Sequence, residues 1–97
     1  MITLIFEGTG VTPATYDEIC QNAHVSQGNL PEGLIFHSAT PTDTGILVVD
    51  VWESQEHIDA FAPRLMPALE AAGVGHLAPR FYQTHAVMGS GKVPAAV

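Results

Sequence analysis

Positive charge is scarce in this chain. Three cations, Arg64, Arg80 and Lys92, stand against ten carboxylates, for a net charge of −7 over 97 residues. Nucleic-acid binding needs clustered Lys and Arg to displace counterions from phosphates, and an anionic membrane surface needs the same. Both partner classes are excluded on that ground, and phosphate-rich ligands are disfavoured. Cysteine is nearly absent too. Cys20 stands alone, so no intrachain disulfide is possible, and its place on the apolar side of an expected helix reads as core filler rather than nucleophile. No apolar run approaches the roughly 20 residues that span a bilayer. The opening MITLIFEGTG has neither a basic start nor a small-residue cleavage site, so a signal peptide is not expected and a cytoplasmic protein is. Neither GxGxxG nor GxxxxGK spacing occurs, and GTG and GSG are loop punctuation, so no nucleotide or flavin cofactor is expected.

What is present is apolar. Hydrophobic residues make up 46% of the chain and charged ones 13%, a balance that argues against disorder. The length allows one domain with one core. A chain this small buries only about 60% of the surface its unfolded form exposes, so a second copy is a natural way to hide the remaining apolar surface.

The order of elements follows from patterning and punctuation. Residues 2–7 (ITLIFE) alternate as a strand and end at Gly8. Thr12 can cap a helix with Pro13 at its first position, and Tyr16, Ile19, Cys20 and Ala23 then recur at helical spacing. Residues 33–40 and 46–52 read as strands joined by the short turn PTDTG, an antiparallel hairpin. Ser54 caps a second helix with Ile58, Phe61, Leu65 and Leu69 as its apolar stripe, and Pro63 and Pro67 are expected to kink or break it. Residues 80–87 read as the last strand. The order β-α-β-β-α-β predicts a ferredoxin-like α+β fold: a four-stranded antiparallel sheet with both helices on one face. The domain is expected over residues 1–88, with residues 89–97 a flexible or dimer-docking tail.

Sorting each strand by side-chain alternation gives two sets. Ile2, Leu4, Phe6, Leu34, Phe36, Leu47, Val49, Val51, Tyr82 and Ala86 form one, nearly all apolar and suited to the helix side. The other holds Thr3, Ile5, Glu7, Ile35, His37, Ile46, Val48, Asp50, Trp52, Phe81, Gln83 and His85. An apolar face carrying a few polar groups has the character of a ligand cavity. His37 and His85 are the candidate general bases there. Asp50 can fix the tautomer of a neighbouring His and stabilise its charged form. Trp52 offers a flat wall to an aromatic substrate, with Ile35, Val48, Phe81 and Gln83 as further lining. Packing at a subunit interface is the plainer account of these His, strand-end hydrogen bonding that of Asp50, and core packing that of Trp52. Tyr16 and Tyr82 could donate to a substrate oxyanion, but spacing and alternation assign both to the core. Glu7 reads as solvated, and His24, His57 and His76 as surface residues. His37, His85 and Asp50 would meet a two-His-one-carboxylate pattern, but with no HxH or HExxH spacing no metal is expected.

Residues 33–73, GLIFHSATPTDTGILVVDVWESQEHIDAFAPRLMPALEAAG, carry a family resemblance, most specific in DVWES at 50–54 where a strand closes and a helix opens. The chain resembles the dimeric α+β barrel proteins, and within them the antibiotic-biosynthesis-monooxygenase-like group. The resemblance implies a homodimer whose two sheets close into one barrel, with a cavity between sheet and helices or in the barrel interior. Members of that group include cofactor-independent oxygenases acting on polyketide-derived phenols, haem-degrading oxygenases and polyketide cyclases. The haem-degrading branch combines an Asn on the first strand, a Trp ending the third and a His on the second helix. Only Trp52 matches that set; Glu7 stands in the region of the Asn, and Phe61 and Ala62 where the His falls. The expectation is therefore a cofactor-independent, monooxygenase-type enzyme acting on an apolar, aromatic or polyketide-like small molecule. The alternatives are a cyclase or isomerase of the same fold, or a non-catalytic dimeric module that binds a small molecule.

Overall fold

The structure is a computed structural model and describes residues 1–90. Six elements follow one another: β1 (Ile2–Thr9), α1 (Pro13–Ala23), β2 (Leu34–Pro41), β3 (Gly45–Trp52), α2 (Gln55–Ala71) and β4 (Arg80–Gln83). The strands form one antiparallel sheet in the order β2-β3-β1-β4, the α+β arrangement expected of a ferredoxin-like chain. The two centre positions fall to β1 and β3, the segments richest in β-branched and aliphatic residues, which pack well on a pleat covered by helices.

Both helices begin as the sequence dictates. The Thr12 hydroxyl accepts from the Thr15 amide at 3.1 Å, with Pro13 at the first helical position, and Ser54 accepts from the His57 amide at 3.3 Å. α1 ends on His24 in the left-handed region (φ 58°), with the Val25 amide reaching back to Cys20 O and the His24 amide to Gln21 O, the Schellman pattern. Arg64 of α2 then clamps this end, donating to Ala23 O at 3.0 Å and to His24 O at 2.9 Å. The two helices are thereby tied to each other above the sheet. Val11, Ile19, Ala23, Ile46, Ala68 and Val74 form the buried core between the layers.

Three local expectations are corrected. α2 is one unbroken helix despite Pro63 and Pro67. The two prolines are four residues apart, hence on one side, and both are exposed. The carbonyls of Asp59 and Pro63 that lose a donor lie along that same side, where water serves them. β4 stops at Gln83 instead of reaching residue 87, because the Thr84 amide already bonds Met1 O; beyond that point its partner strand has ended. The grouping of strand faces also differs. Leu4 stands opposite Asp50, Phe6 opposite Val48 and Ile2 opposite Trp52, so these residues share one face, the one the helices cover. Thr3, Ile5 and Glu7 lie with Leu47, Val49 and Val51 on the other. Alternation fixes which residues of one strand go together, whereas only the pairing register fixes which sets of neighbouring strands coincide. Within β2 the register shifts between Leu34 and Phe36, two residues advancing against one on β3. This bulge brings Leu34 and His37 onto the helix-covered face and turns Phe36 away from it.

The start of β2 is fixed by Gly33 at φ 86°. A Cβ there would sit 2.3 Å from the His57 ring, so only glycine allows this approach. No described helix is long and apolar enough to cross a membrane. The tail expected at residues 89–97 falls outside the described residues beyond position 90.

Candidate active site

Sheet and helices line an open pocket of about 490 Å³, within the range of small-molecule sites. Leu4, Phe6, Val48, Trp52 and Phe81 supply its sheet wall; Tyr16, Ile19, Ile58, Phe61 and Leu65 supply the helix wall. The wall is aliphatic and aromatic apart from a few polar groups, and three of these are joined in a chain.

Asp50, on the central strand β3, is 8% exposed and is the one charged residue buried to that degree among the described residues. Burying a carboxylate is costly unless its lone pairs are matched. Here Oδ1 faces His37 Nδ1 at 2.5 Å and Oδ2 accepts from Trp52 Nε1 at 3.2 Å. The indole is locked in place: Trp52 is 2% exposed and its ring lies 5.7 Å from that of Phe61. His37 comes from β2, directly across from Asp50 in the register. Its Nε2 meets the Tyr16 hydroxyl at 2.5 Å, and the two rings lie nearly parallel, 12° apart. An ionised carboxylate only accepts, so with the imidazole neutral Nδ1 carries the proton and Nε2 accepts from Tyr16 O–H, whereas a protonated ring donates from both nitrogens.

Tyr16 itself is reached from α1, four residues before Cys20. Burial pushes its phenol pKa well above the ordinary tyrosine range; the neighbouring Cys20 thiol and then the Asp50 charge add to the rise. Burial also pushes the Cys20 thiol up, partly countered by the neighbouring Tyr16 hydroxyl. Both groups therefore hold their protons at neutral pH.

Of the residues singled out from the sequence, His37, Asp50, Trp52, Val48 and Phe81 line this cavity. His85 lies beyond the end of β4, is exposed, and does not line the cavity with His37 and Asp50. Gln83 is at the sheet edge, where its amide donates to Met1 O at 3.1 Å, and Ile35 is the exposed residue of the β2 bulge. Tyr82 is on the open face opposite Thr3, and Glu7 pairs with Arg80 at 3.1 Å on that face. Tyr16 is the residue that sequence reading left in the core. The signal was there: an inward-facing Tyr on a helix that covers a polar-dotted strand face must find a partner for its hydroxyl. Among the described residues no group of three or more His, Cys, Asp or Glu side chains could hold a metal ion.

No family model, curated protein or solved structure matches this chain. What the site can do thus rests on its geometry. A neutral imidazole oriented by a buried carboxylate can take up a proton and be stabilised once charged, and His37, partly open to solvent beside the buried Asp50, stands at the mouth of the apolar wall.

Proposed function

We propose that this chain is a small cofactor-independent enzyme acting on an apolar, aromatic or polyketide-like molecule, of monooxygenase type, with His37 as the proton acceptor and Asp50 as the group that orients and stabilises it. The observation that carries this reading is the His37–Asp50 pair set into the wall of an otherwise apolar cavity. Phe81, on the same wall, supplies a flat surface for an aromatic ring, and the buried Trp52 backs that wall through its bond to Asp50. The resemblance of residues 33–73 to the antibiotic-biosynthesis-monooxygenase-like group supports small-molecule chemistry of this kind, with oxygenation the leading reaction and cyclisation or isomerisation the alternative. Removing a proton from a phenol or an activated C–H leaves an electron-rich carbon that reacts with O₂. The substrate supplies the electrons, one oxygen atom enters it, and the other leaves as water. No flavin, haem or metal is required for that balance. The setting is the cytoplasm, where Cys20 stays reduced.

The active form is a homodimer closed through the open face of the sheet. Phe36 and Tyr82 stand 51% and 49% exposed there, beside Ile5 and Val49, and a second sheet would cover them. Light scattering at micromolar concentration checks this; a stable monomer of about 10 kDa, the chain's own mass of 10.3 kDa, would refute the dimer.

One observation favours a second reading. His37 Nε2 is occupied by Tyr16, which suits a site that binds a ligand without turning it over. Incubating the protein with phenolic polyketides, with and without O₂, separates the readings by product analysis. Turnover that needs O₂ supports the oxygenase, anaerobic turnover a cyclase or isomerase, and binding without turnover the non-catalytic module.

A further inference from the structure

Both ring nitrogens of His37 are engaged, Nδ1 by Asp50 and Nε2 by the Tyr16 hydroxyl, each at 2.5 Å. A ligand in the cavity meets no free nitrogen. What the chain presents beyond His37 is the oxygen of Tyr16, which lines the cavity. Its one proton is donated to Nε2, so its lone pairs are left to accept.

We propose that Tyr16 is the residue that touches the substrate, that His37 acts through it, and that the substrate is a neutral aromatic molecule presenting one ionisable hydroxyl, a phenol or an enol. This rests on the reading of the cavity as a substrate site. The hydroxyl donates to the Tyr16 oxygen, whose own proton is already directed at Nε2. Transfer then moves two protons and no electrons: the substrate O–H bond breaks as a new O–H bond forms on Tyr16, and the original Tyr16 proton passes to Nε2. The substrate becomes an oxyanion facing the re-protonated Tyr16. His37 becomes an imidazolium paired with the Asp50 carboxylate. Tyr16 never carries the charge, which suits a phenol whose ionisation burial opposes. The substrate class follows from the same wall. Asp50 and the net charge of −7 disfavour a carboxylate or phosphate ligand, and Leu4, Phe6, Val48 and Leu65 match a hydrocarbon ring.

The experiment compares two probes on the full chain, 2-naphthol and 2-methoxynaphthalene, by titration calorimetry. The first can donate a hydrogen bond and the second cannot. The wild-type protein is expected to bind 2-naphthol about tenfold more tightly, the value of one well-placed hydrogen bond. Tyr16→Phe alone would free His37 Nε2 to accept in its place, so the loss is read in the double variant Tyr16→Phe/His37→Leu, which should reduce that preference to within about twofold; binding of 2-methoxynaphthalene by the same variant verifies that the cavity is intact. His37→Gln should keep the preference, because the Tyr16 hydroxyl remains and the glutamine amide can accept from it. Loss of the preference in His37→Gln would show that His37 meets the ligand directly and overturn the inference while leaving His37 as the base; retention of it in the double variant would show that neither side chain accepts from the ligand and overturn the inference as well. Equal wild-type affinities for the two probes would likewise overturn only the role of Tyr16. Failure of the wild-type protein to bind either probe would overturn the substrate site itself, and this inference with it.

Discussion

Asp50→Asn reverses the direction of the hydrogen-bond chain. The carboxylate accepts from two donors, His37 Nδ1 and Trp52 Nε1. An amide has one accepting oxygen and one donating NH₂. The indole can only donate and is fixed in the core at 2% exposure, so the amide oxygen must stay with Trp52; the opposite rotamer would set two buried donors face to face, at about 1–3 kcal/mol. The NH₂ then points at His37 Nδ1, which has to accept. The imidazole proton moves to Nε2 and is donated to the Tyr16 oxygen, and the Tyr16 proton turns into the cavity. A charge-assisted bond of about 1.5–3 kcal/mol is replaced by a neutral one of about 0.5–1.5 kcal/mol, with partial relief from no longer burying a charge. The net cost is about 1 kcal/mol, or roughly 4–8 °C in Tm for a domain of this size. Long-range ¹H–¹⁵N spectra of the His37 ring read the tautomer directly, Nδ1–H in the wild type and Nε2–H in the variant. Thermal unfolding by circular dichroism reads the stability. On the proposed function, a ring whose Nε2 already carries the proton can no longer take one through Tyr16, so turnover should fall by about 10²–10⁴-fold. If the variant keeps the Nδ1–H tautomer, the reasoning from Asp50 to His37 is refuted.

Trp52→Ala should cost about 3–5 kcal/mol in a denaturant titration, since a fully buried indole leaves both a cavity and an unmatched Asp50 oxygen. Gly33→Ala should destabilise by at least about 2 kcal/mol, because a side chain at φ 86° is strained and its Cβ would lie 2.3 Å from the His57 ring; adding His57→Ala should recover the steric part, which a double-mutant cycle measures. Tyr16 gives a pH signature. Its folded-state pKa is raised above the ordinary 10.0, so the native protein keeps a proton that the unfolded chain has lost. Stability is unaffected below about pH 10 and falls as the pH rises beyond it. Tyr16→Phe should make the alkaline decline in Tm shallower, and an unchanged slope would count against the burial of that phenol.

The order of elements was legible because it rests on local signals that survive folding: Thr12 and Ser54 as caps, Pro13 at a helix start, PTDTG between two apolar runs. The pairing of His37 with Asp50 was partly legible too, since both carried polar groups on otherwise apolar strands. What alternation could not supply was register. Nothing within ITLIFE says that Leu4 lies across from Asp50 and not from Val51; that depends on where two strands meet. The bulge beside Ile35 has no composition mark, and it puts Leu34 and His37 on a face that strict alternation would have divided between them. His85 shared its strand pattern with Phe81 and Gln83, but the sheet ran out of partner at Thr84. Tyr16 was read correctly as inward-facing. Its hydroxyl became visible as a site group only once α1 was seen to lie over β2.

The bulge in β2 also says where the chain can change its length. In a regular strand the loss of one residue turns everything beyond it over, sending cavity groups to the outside and outside groups in. Leu34 and His37 are three positions apart yet share a face because the pair Ile35–Phe36 opposes a single step on β3. Deleting Ile35 would leave Leu34, Phe36 and His37 in ordinary alternation, with His37 still opposite Asp50 and Phe36 still outward. The same deletion at Ser38 or Ala39 would invert the rest of the strand against Val48 and Ile46. Position 35 is thus a point where a gap can open or close between related sequences without moving the imidazole, and an alignment that places a one-residue gap elsewhere in this strand would mismatch every side chain after it.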